Sequence, residues 1–260
     1  MAIYKGNKKV VAVYKGSTPI NKIYKGSTLV FQKSGGGGGS THLFEGTATR
    51  NFDLKINNNQ TIPITPDADG KWLYTTDEKI TNLSGLIYKQ SAVTSVDLSN
   101  LDLTGIPTNN MFFAASNIKS IKFNNTKSMK LVNVGGMFSY CESLTSIDLS
   151  SFDTSGISIL EGLFGNCNSL VSLNLSSFDT SKVTSADSLF NGCSSLVSLD
   201  LSNFDLSNAL DYSDIFKNCT SLSTIKCKQA FKDWCITHQD DIYLPTAMRE
   251  GGSGTWEIIG

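Results

Sequence analysis

The sequence predicts an α/β solenoid of about six stacked 26-residue units, entered through a β-rich N-terminal cap and preceded by a small β-strand anchor module. Three observations predict it. Phenylalanines recur at Phe112, Phe138, Phe164, Phe190 and Phe216, each 26 residues after the last. Phe138, Phe164 and Phe190 each open the pattern F-x-x-C-x-x-L-x-x-L-x-L with Ile tolerated, as in Phe190, Cys193, Leu196, Leu199 and Leu201. A run SGGGGGS at 34–40 separates these units from a segment of much shorter period.

That first segment, 1–33, contains IYKGNKKVVA, VYKGSTPINK and IYKGSTLVFQ, which place Tyr4, Tyr14 and Tyr24 ten residues apart. A β-branched residue and Tyr followed by Lys-Gly reads as short strands joined by tight turns, with Gly6, Gly16 and Gly26 in the turns. About 30 residues cannot bury a stable core alone, so the module is expected to lean on a partner. The glycine run at 34–40 has maximal backbone freedom and an r.m.s. span of roughly 15 Å. It reads as a linker between two separately placed modules.

Residues 41–86 read as the β-rich cap. Phe52, Leu54 and Ile56 alternate with Asp53, Lys55 and Asn57, the period of a half-buried strand. TIPITPDADGKWLYTT reads as strand, turn and strand, with Asp69-Gly70 at the bend.

Residues 87–227 hold the units, starting near Ile87, Phe112, Phe138, Phe164, Phe190 and Phe216. L-x-x-L-x-L at a period between 20 and 29 is the mark of a leucine-rich repeat. In SIDLS, Ile147 and Leu149 point inward while Ser146, Asp148 and Ser150 point out. One unit cannot bury its apolar side, but stacked neighbours share a continuous core. Asp153, Asp179 and Asp205, each followed two residues on by Ser, are expected to cap a helical turn leading to the next Phe. Residues 228–260 are expected to close the far end of the core.

Composition excludes several function classes. With 22 basic and 23 acidic residues no global field favours nucleic acid or an anionic membrane. No run of about 20 apolar residues exists to insert into a bilayer. The N-terminus lacks the apolar core and cleavage site of an export signal. G-x-S-x-G, G-x-x-x-x-G-K-[ST] and H-E-x-x-H are all absent, and only His42 and His238 could act as imidazole bases. No catalytic residue, cofactor or metal ligand is assigned. Cys141, Cys167, Cys193 and Cys219 share one column, which accepts Ala115, so they read as small buried residues. Cys227, Cys235 and His238 admit a zinc site or a disulfide, with packing of the C-terminal cap as the default.

The site candidate is the outward face of the strands. Its central column is Asp97, Lys122, Asp148, Asn174, Asp200 and Lys226, flanked by Ser146, Ser172 and Ser198 on one side and Ser150, Ser176 and Ser202 on the other. Short donors and acceptors with little net charge suit hydroxyl-rich ligands or a wet protein interface. The chosen binding residues are Asp97, Lys122, Ser146, Asp148, Ser172, Asn174, Ser198, Asp200 and Ser202.

MFSYCESLTSIDLSSFDTS and LFNGCSSLVSLDLSNFD resemble the BspA-like leucine-rich repeats of bacterial surface proteins, also called the Mycoplasma lipoprotein-like repeat. That resemblance covers about 87–227 and implies a solenoid serving adhesion or recognition without enzymatic activity. IYKGSTPINKIYKGSTLVF is similar to the N-terminal Tyr-x-Gly repeats of structural proteins from Bacteroides-type, crAss-like phages. Together they imply a virion protein, a head fibre, tail fibre or capsid decoration. Tyr4, Tyr14 and Tyr24 would anchor it to other virion proteins, and the solenoid would recognise a host-surface glycan or protein. The alternative is a bacterial cell-surface adhesin. A homo-oligomer of closed symmetry is expected.

Overall fold

The computed structural model describes residues 42–259 except 58, 59, 77, 78 and 127, together with four short strands nearer the N-terminus. Of these, β1 (Ile3–Lys5) pairs antiparallel with β2 (Lys8–Val10), and β3 (Lys22–Lys25) with β4 (Thr28–Gln32). Tyr4 lies opposite Lys9 and Tyr24 opposite Leu29. Tyr14, the turn glycines at 6, 16 and 26, and the 34–40 segment lie outside the described residues.

Four strands follow: β5 (His42–Ala48), β6 (Phe52–Ile56), β7 (Gln60–Ile64) and β8 (Lys71–Thr76). β6 and β7 pair antiparallel and bury Phe52, Leu54, Ile56, Ile62 and Ile64 on one face. The bend falls where the sequence places it. Gly70 is left-handed at φ +75°, and the Asp67 carboxylate accepts the N–H groups of Asp69 and Lys71 at 3.0 and 2.8 Å. The strands on its two sides nevertheless do not pair with each other. β7 stays with β6, while β8 crosses to β5, whose other edge joins β9 (Val93–Asp97) antiparallel. The cap thereby becomes hydrogen-bonded to the first repeat instead of only covering it.

The repeats form stacked coils, numbered 1 to 6 from Ile87, Phe112, Phe138, Phe164, Phe190 and Phe216. One parallel ladder joins β9 of coil 1 to β10 (Ser120–Lys122) of coil 2. A short pair, β11 (Met129–Lys130) and β12 (Phe152–Asp153), links coils 2 and 3 at a different level. A second ladder joins β13 (Ser172–Asn174), β14 (Ser198–Asp200) and β15 (Thr224–Lys228) of coils 4 to 6, with Leu173, Leu199 and Ile225 side by side.

The side opposite the strands corrects the α/β expectation. Among the described residues no coil contains a helix. Two left-handed positions occur in every coil, at Gly85, Asn110, Gly136, Gly162, Ser188 and Asp214, and at Lys89, Ala114, Tyr140, Asn166, Gly192 and Asn218. An α-helix cannot continue through such a residue. The chain makes consecutive tight turns instead. Alternate N–H groups bond three residues back, as Cys141 to Phe138, and the others bond the next coil, as Phe138 to Leu163 and Tyr140 to Gly165. The Asp residues expected to cap helices close tight turns. Asp153, Asp179 and Asp205 accept the N–H of Ser155, Ser181 and Ser207 at 3.0, 3.0 and 2.9 Å.

Between the two sides lies a layered core. Phe112, Phe138, Phe164, Phe190 and Phe216 stack at successive centroid distances of 5.7, 5.5, 5.9 and 5.7 Å. Buried threonines staple coil to coil: Thr108 Oγ1 donates to Asn133 O, Thr154 Oγ1 to Asp179 O and Thr180 Oγ1 to Asp205 O.

The C-terminal segment carries α1 (Gln229–Thr237), which buries Phe231 and Cys235 against the last coil. Residues 241 and 242 continue the turn-side stack, accepting the N–H groups of Asp214 and Phe216. β16 (Thr255–Ile259) then pairs parallel with β15 and extends the second ladder.

Candidate recognition face

The strand ladders put the predicted column in line, but they give its members unequal freedom. Ser120, Ile121 and Lys122 lie beside Ser95, Val96 and Asp97, and Leu199 and Asp200 lie beside Ile225 and Lys226. Each acidic residue of the column closes the turn that ends its strand. Asp97 Oδ1 accepts the Ser99 N–H at 2.8 Å, Asp148 Oδ1 that of Ser150 at 3.0 Å, and Asp200 Oδ1 that of Ser202 at 3.1 Å. Asn174 does the same for Ser176 at 2.9 Å.

The second carboxylate oxygens are occupied as well. Lys122 Nζ sits 3.1 Å from Asp97 Oδ2, and Lys226 Nζ 3.0 Å from Asp200 Oδ2. Asn125 Nδ2 donates to Asp148 Oδ2. Burial pushes the Asp97 and Asp200 carboxyls up, but hydrogen bonds from Ser99 and Lys122, and from Ser202 and Lys226, outweigh it and hold both below the ordinary range. The Ser150 backbone N–H does this for Asp148. The charges of the column are thus spent largely on holding the face in shape. Only Asn174 has an unbonded polar atom, Nδ2, on its column side chain among these acidic and amide positions.

Coil 3 breaks the ladder. Leu98 donates its N–H to Lys122 O, Leu175 to Asp200 O and Leu201 to Lys226 O. The corresponding bond from Leu149 to Asn174 O is missing, and residues 146–149 donate no backbone hydrogen bond among the described residues. The irregular neighbour is coil 2. Phe123 stands where coils 1, 3, 4 and 5 have Leu, and Thr126 stands where coils 3, 4 and 5 have Phe152, Phe178 and Phe204. Phe123 fills the vacated space, meeting Phe112, Phe138 and Phe152 edge-on at 6.3, 6.2 and 4.9 Å. The chain slips three positions so that Met129, not Thr126, pairs with Phe152. The ladder is thus absent between coils 2 and 3 as well, and between coils 3 and 4 lies a shallow hollow lined by Ile147, Asp148, Leu149, Ser150, Asn174, Ser176 and Ser177. Ile147, expected to be buried like Leu173 and Leu199, is partly uncovered there.

The predicted flanking serines are placed as expected but differ in exposure. Ser146 and Ser172 are exposed, Ser198 is half-buried, and Ser202 is buried with its hydroxyl on Asp200 Oδ1. Two members escaped the sequence reading. Glu257 pairs in register with Lys226 and adds a seventh position to the column. Ser177 lines the hollow and donates to Leu149 O at 3.5 Å. The exchange of Phe123 and Thr126 signals the slip between coils 2 and 3, but no residue pattern marks the hollow between coils 3 and 4.

The cysteines are far from this face. Cys141, Cys167, Cys193 and Cys219 are fully buried, and each thiol donates to the carbonyl of the preceding coil's Phe at 3.3, 3.1, 3.1 and 3.1 Å. Burial pushes all four thiols up, that of Cys219 to about 12. Cys227 points into the core from β15 and Cys235 from α1, and both are free thiols. His238 Nδ1 contacts Trp234 O at 2.8 Å, and its ring packs on Trp234 and Tyr212.

Residues 74–154 match the family described as BspA type leucine rich repeat region (6 copies). Residues 132–242 match the one described as Mycoplasma protein of unknown function, DUF285. No curated protein and no solved structure matches the chain.

Proposed function

We propose that this chain is a surface recognition and adhesion protein of the BspA-like repeat type, binding rather than catalytic. Its solenoid would present the strand face to a glycan or protein on a host surface. The observation that carries this reading is the prearranged polar column: its carboxylates are pinned by turn N–H groups and by Lys122 and Lys226, so the flanking hydroxyls are held in fixed rows. The match over 74–154 to a repeat common in cell-surface proteins supports the same role. Between the two settings expected from the sequence, that match favours the cell-surface adhesin over the virion protein.

The test replaces Ser172 by Lys and Ser198 by Glu, opposite charges because the two positions are neighbours in the ladder and two lysines there would repel. Neither side chain supports the fold through a hydrogen bond among the described residues, so the melting temperature should hold while adhesion to host cells falls. Unchanged adhesion with an intact melting curve would remove the face from consideration.

The IYKG units favour a second setting, in which residues 1–33 attach to other virion proteins through Tyr4, Tyr14 and Tyr24. Both matched segments lie outside that module. Mass spectrometry of purified virions decides it, since a chain missing from them has no such attachment.

A further inference from the structure

Resting on the recognition reading above, we infer that the hollow between coils 3 and 4 is a subsite for one neutral sugar residue, with Asn174 as its specificity-determining contact. Four observations converge on it. The ladder that joins coils 1 and 2 and coils 4 to 6 is missing on both sides of coil 3, and toward coil 4 this leaves the backbone N–H groups of Ile147 and Leu149 unpaired among the described residues. Asn174 Oδ1 is fixed by the Ser176 N–H, which aims the amide and leaves Nδ2 as a donor without a partner. The Ser150 and Ser176 hydroxyls stand on the rim. The floor is apolar, made by Ile147 and Leu149, with Ile147 partly uncovered.

A ring with hydroxyls around its edge and C–H groups on its face matches this combination of polar rim and apolar floor. An anionic ligand does not. The nearest charge is the exposed Asp148 carboxylate, and the two lysines of the column are already held by Asp97 and Asp200. Counting Glu257, the column carries four carboxylates against two ammonium groups. A sialylated or sulfated group would meet repulsion with no cation to offset it.

The column itself supplies the decisive variant. Asp occupies the Asn174 position in coils 3 and 5 and closes the same turn, so Asn174→Asp keeps the turn acceptor while replacing the amide donor by a charged acceptor. The experiment follows backbone amide shifts of the ¹⁵N-labelled full chain during titration with mannose, galactose, N-acetylglucosamine and N-acetylneuraminic acid. At least one neutral sugar should move the amides of residues 147–150 and 174–177, N-acetylneuraminic acid should not, and Asn174→Asp should weaken the binding about tenfold with an unchanged melting temperature. Shifts confined to other rows of the strand face, equal binding by Asn174→Asp, or a preference for the acidic sugar would overturn the subsite while leaving the face as the binding surface. An absence of shifts with all four probes overturns the subsite, and only the loss of the adhesion effect of the Ser172 and Ser198 exchange overturns the face.

Discussion

The Cys193 thiol donates a hydrogen bond to the carbonyl of Phe164, 3.1 Å away in the preceding coil. The bond repeats at Cys141, Cys167 and Cys219, so the cysteine column works as a row of weak buried donors spanning adjacent coils, in addition to filling space. Ala115 shows that the volume matters more than the donor. Cys193→Ala should therefore cost only about 1 kcal/mol, independent of added metal or chelator. A urea midpoint that depends on zinc would contradict this.

The same burial makes the thiols slow. With Cys219 raised to about 12, Cys227 to about 11 and the others pushed up by the same desolvation, almost no thiolate exists near neutrality. A thiol-reactive disulfide reagent at pH 8 should label none of the six cysteines quickly in the native chain and all of them on unfolding in urea. Rapid labelling of any one in the folded state would show an opening that the stacked coils do not allow.

Truncating the inward column should be far more costly. Leu199 is 2% exposed between Leu173 and Ile225, and Leu199→Ala should destabilise by about 2–5 kcal/mol in chemical denaturation. A loss no larger than that of Cys193→Ala would mean that the site collapses to fill the cavity.

The left-handed column offers a stabilising change. Ala114 is held at φ +55°, where an L-residue is strained by about 1–2 kcal/mol, whereas Gly192 occupies the equivalent place in coil 5. Ala114→Gly should raise stability by about 0.5 kcal/mol after the entropy cost of glycine. The reverse exchange, Gly192→Ala, should destabilise, because a Cβ there would lie 2.5 Å from Asn166 Oδ1. Opposite signs in the two melting curves are the expected result.

Acid should weaken the turns. Asp148, Asp153 and Asp179 are held below the ordinary value of 3.8 by hydrogen bonds from the serine two residues on, and Asp97 and Asp200 are held low against an opposing effect of burial. Folded values below the unfolded ones mean that the stabilisation is full above about pH 4 and is lost as pH falls through the folded values. Asp153→Asn keeps the turn acceptor but cannot titrate, so it should flatten the fall in melting temperature as the pH drops below about 4, where the lowered folded value places the loss.

The inward rows were legible because the strand alternation and the 26-residue period act on the same residues: Leu173, Leu199 and Ile225 sit where the pattern puts them. The turn side was misread because Asp-Thr-Ser suits a helix cap and a tight turn equally well at the local level. What decides between them is the pair of left-handed columns. Only some of those positions carry Gly or Asn, and Lys89, Ala114, Tyr140, Ser188 and Asp214 conceal the rest. The face was legible as a row of residues but not as a site. Sequence cannot reveal that Asp97, Asp148 and Asp200 spend both oxygens internally, which shifts the free donor to Asn174. The β7 to β8 bend was found correctly and its pairing was not, because the partner of β8 is a strand about 25 residues upstream.

The interruption at coil 3 also has a mechanical side. On the turn side the bonds run on without a gap, from Phe112 to Met137, Phe138 to Leu163 and Phe164 to Leu189. On the strand side they form two separate plates, β10-β9-β5-β8 and β13-β14-β15-β16. The strand wall therefore has its fewest bonds where coil 3 meets its neighbours: coil 3 lies between the two plates and in neither, tied to coil 4 there by the Val171 N–H on Thr145 O and the Ser177 hydroxyl on Leu149 O. An occupant between Asp148 and Asn174 would add a further tie across the seam between coils 3 and 4, where the backbone itself supplies fewest.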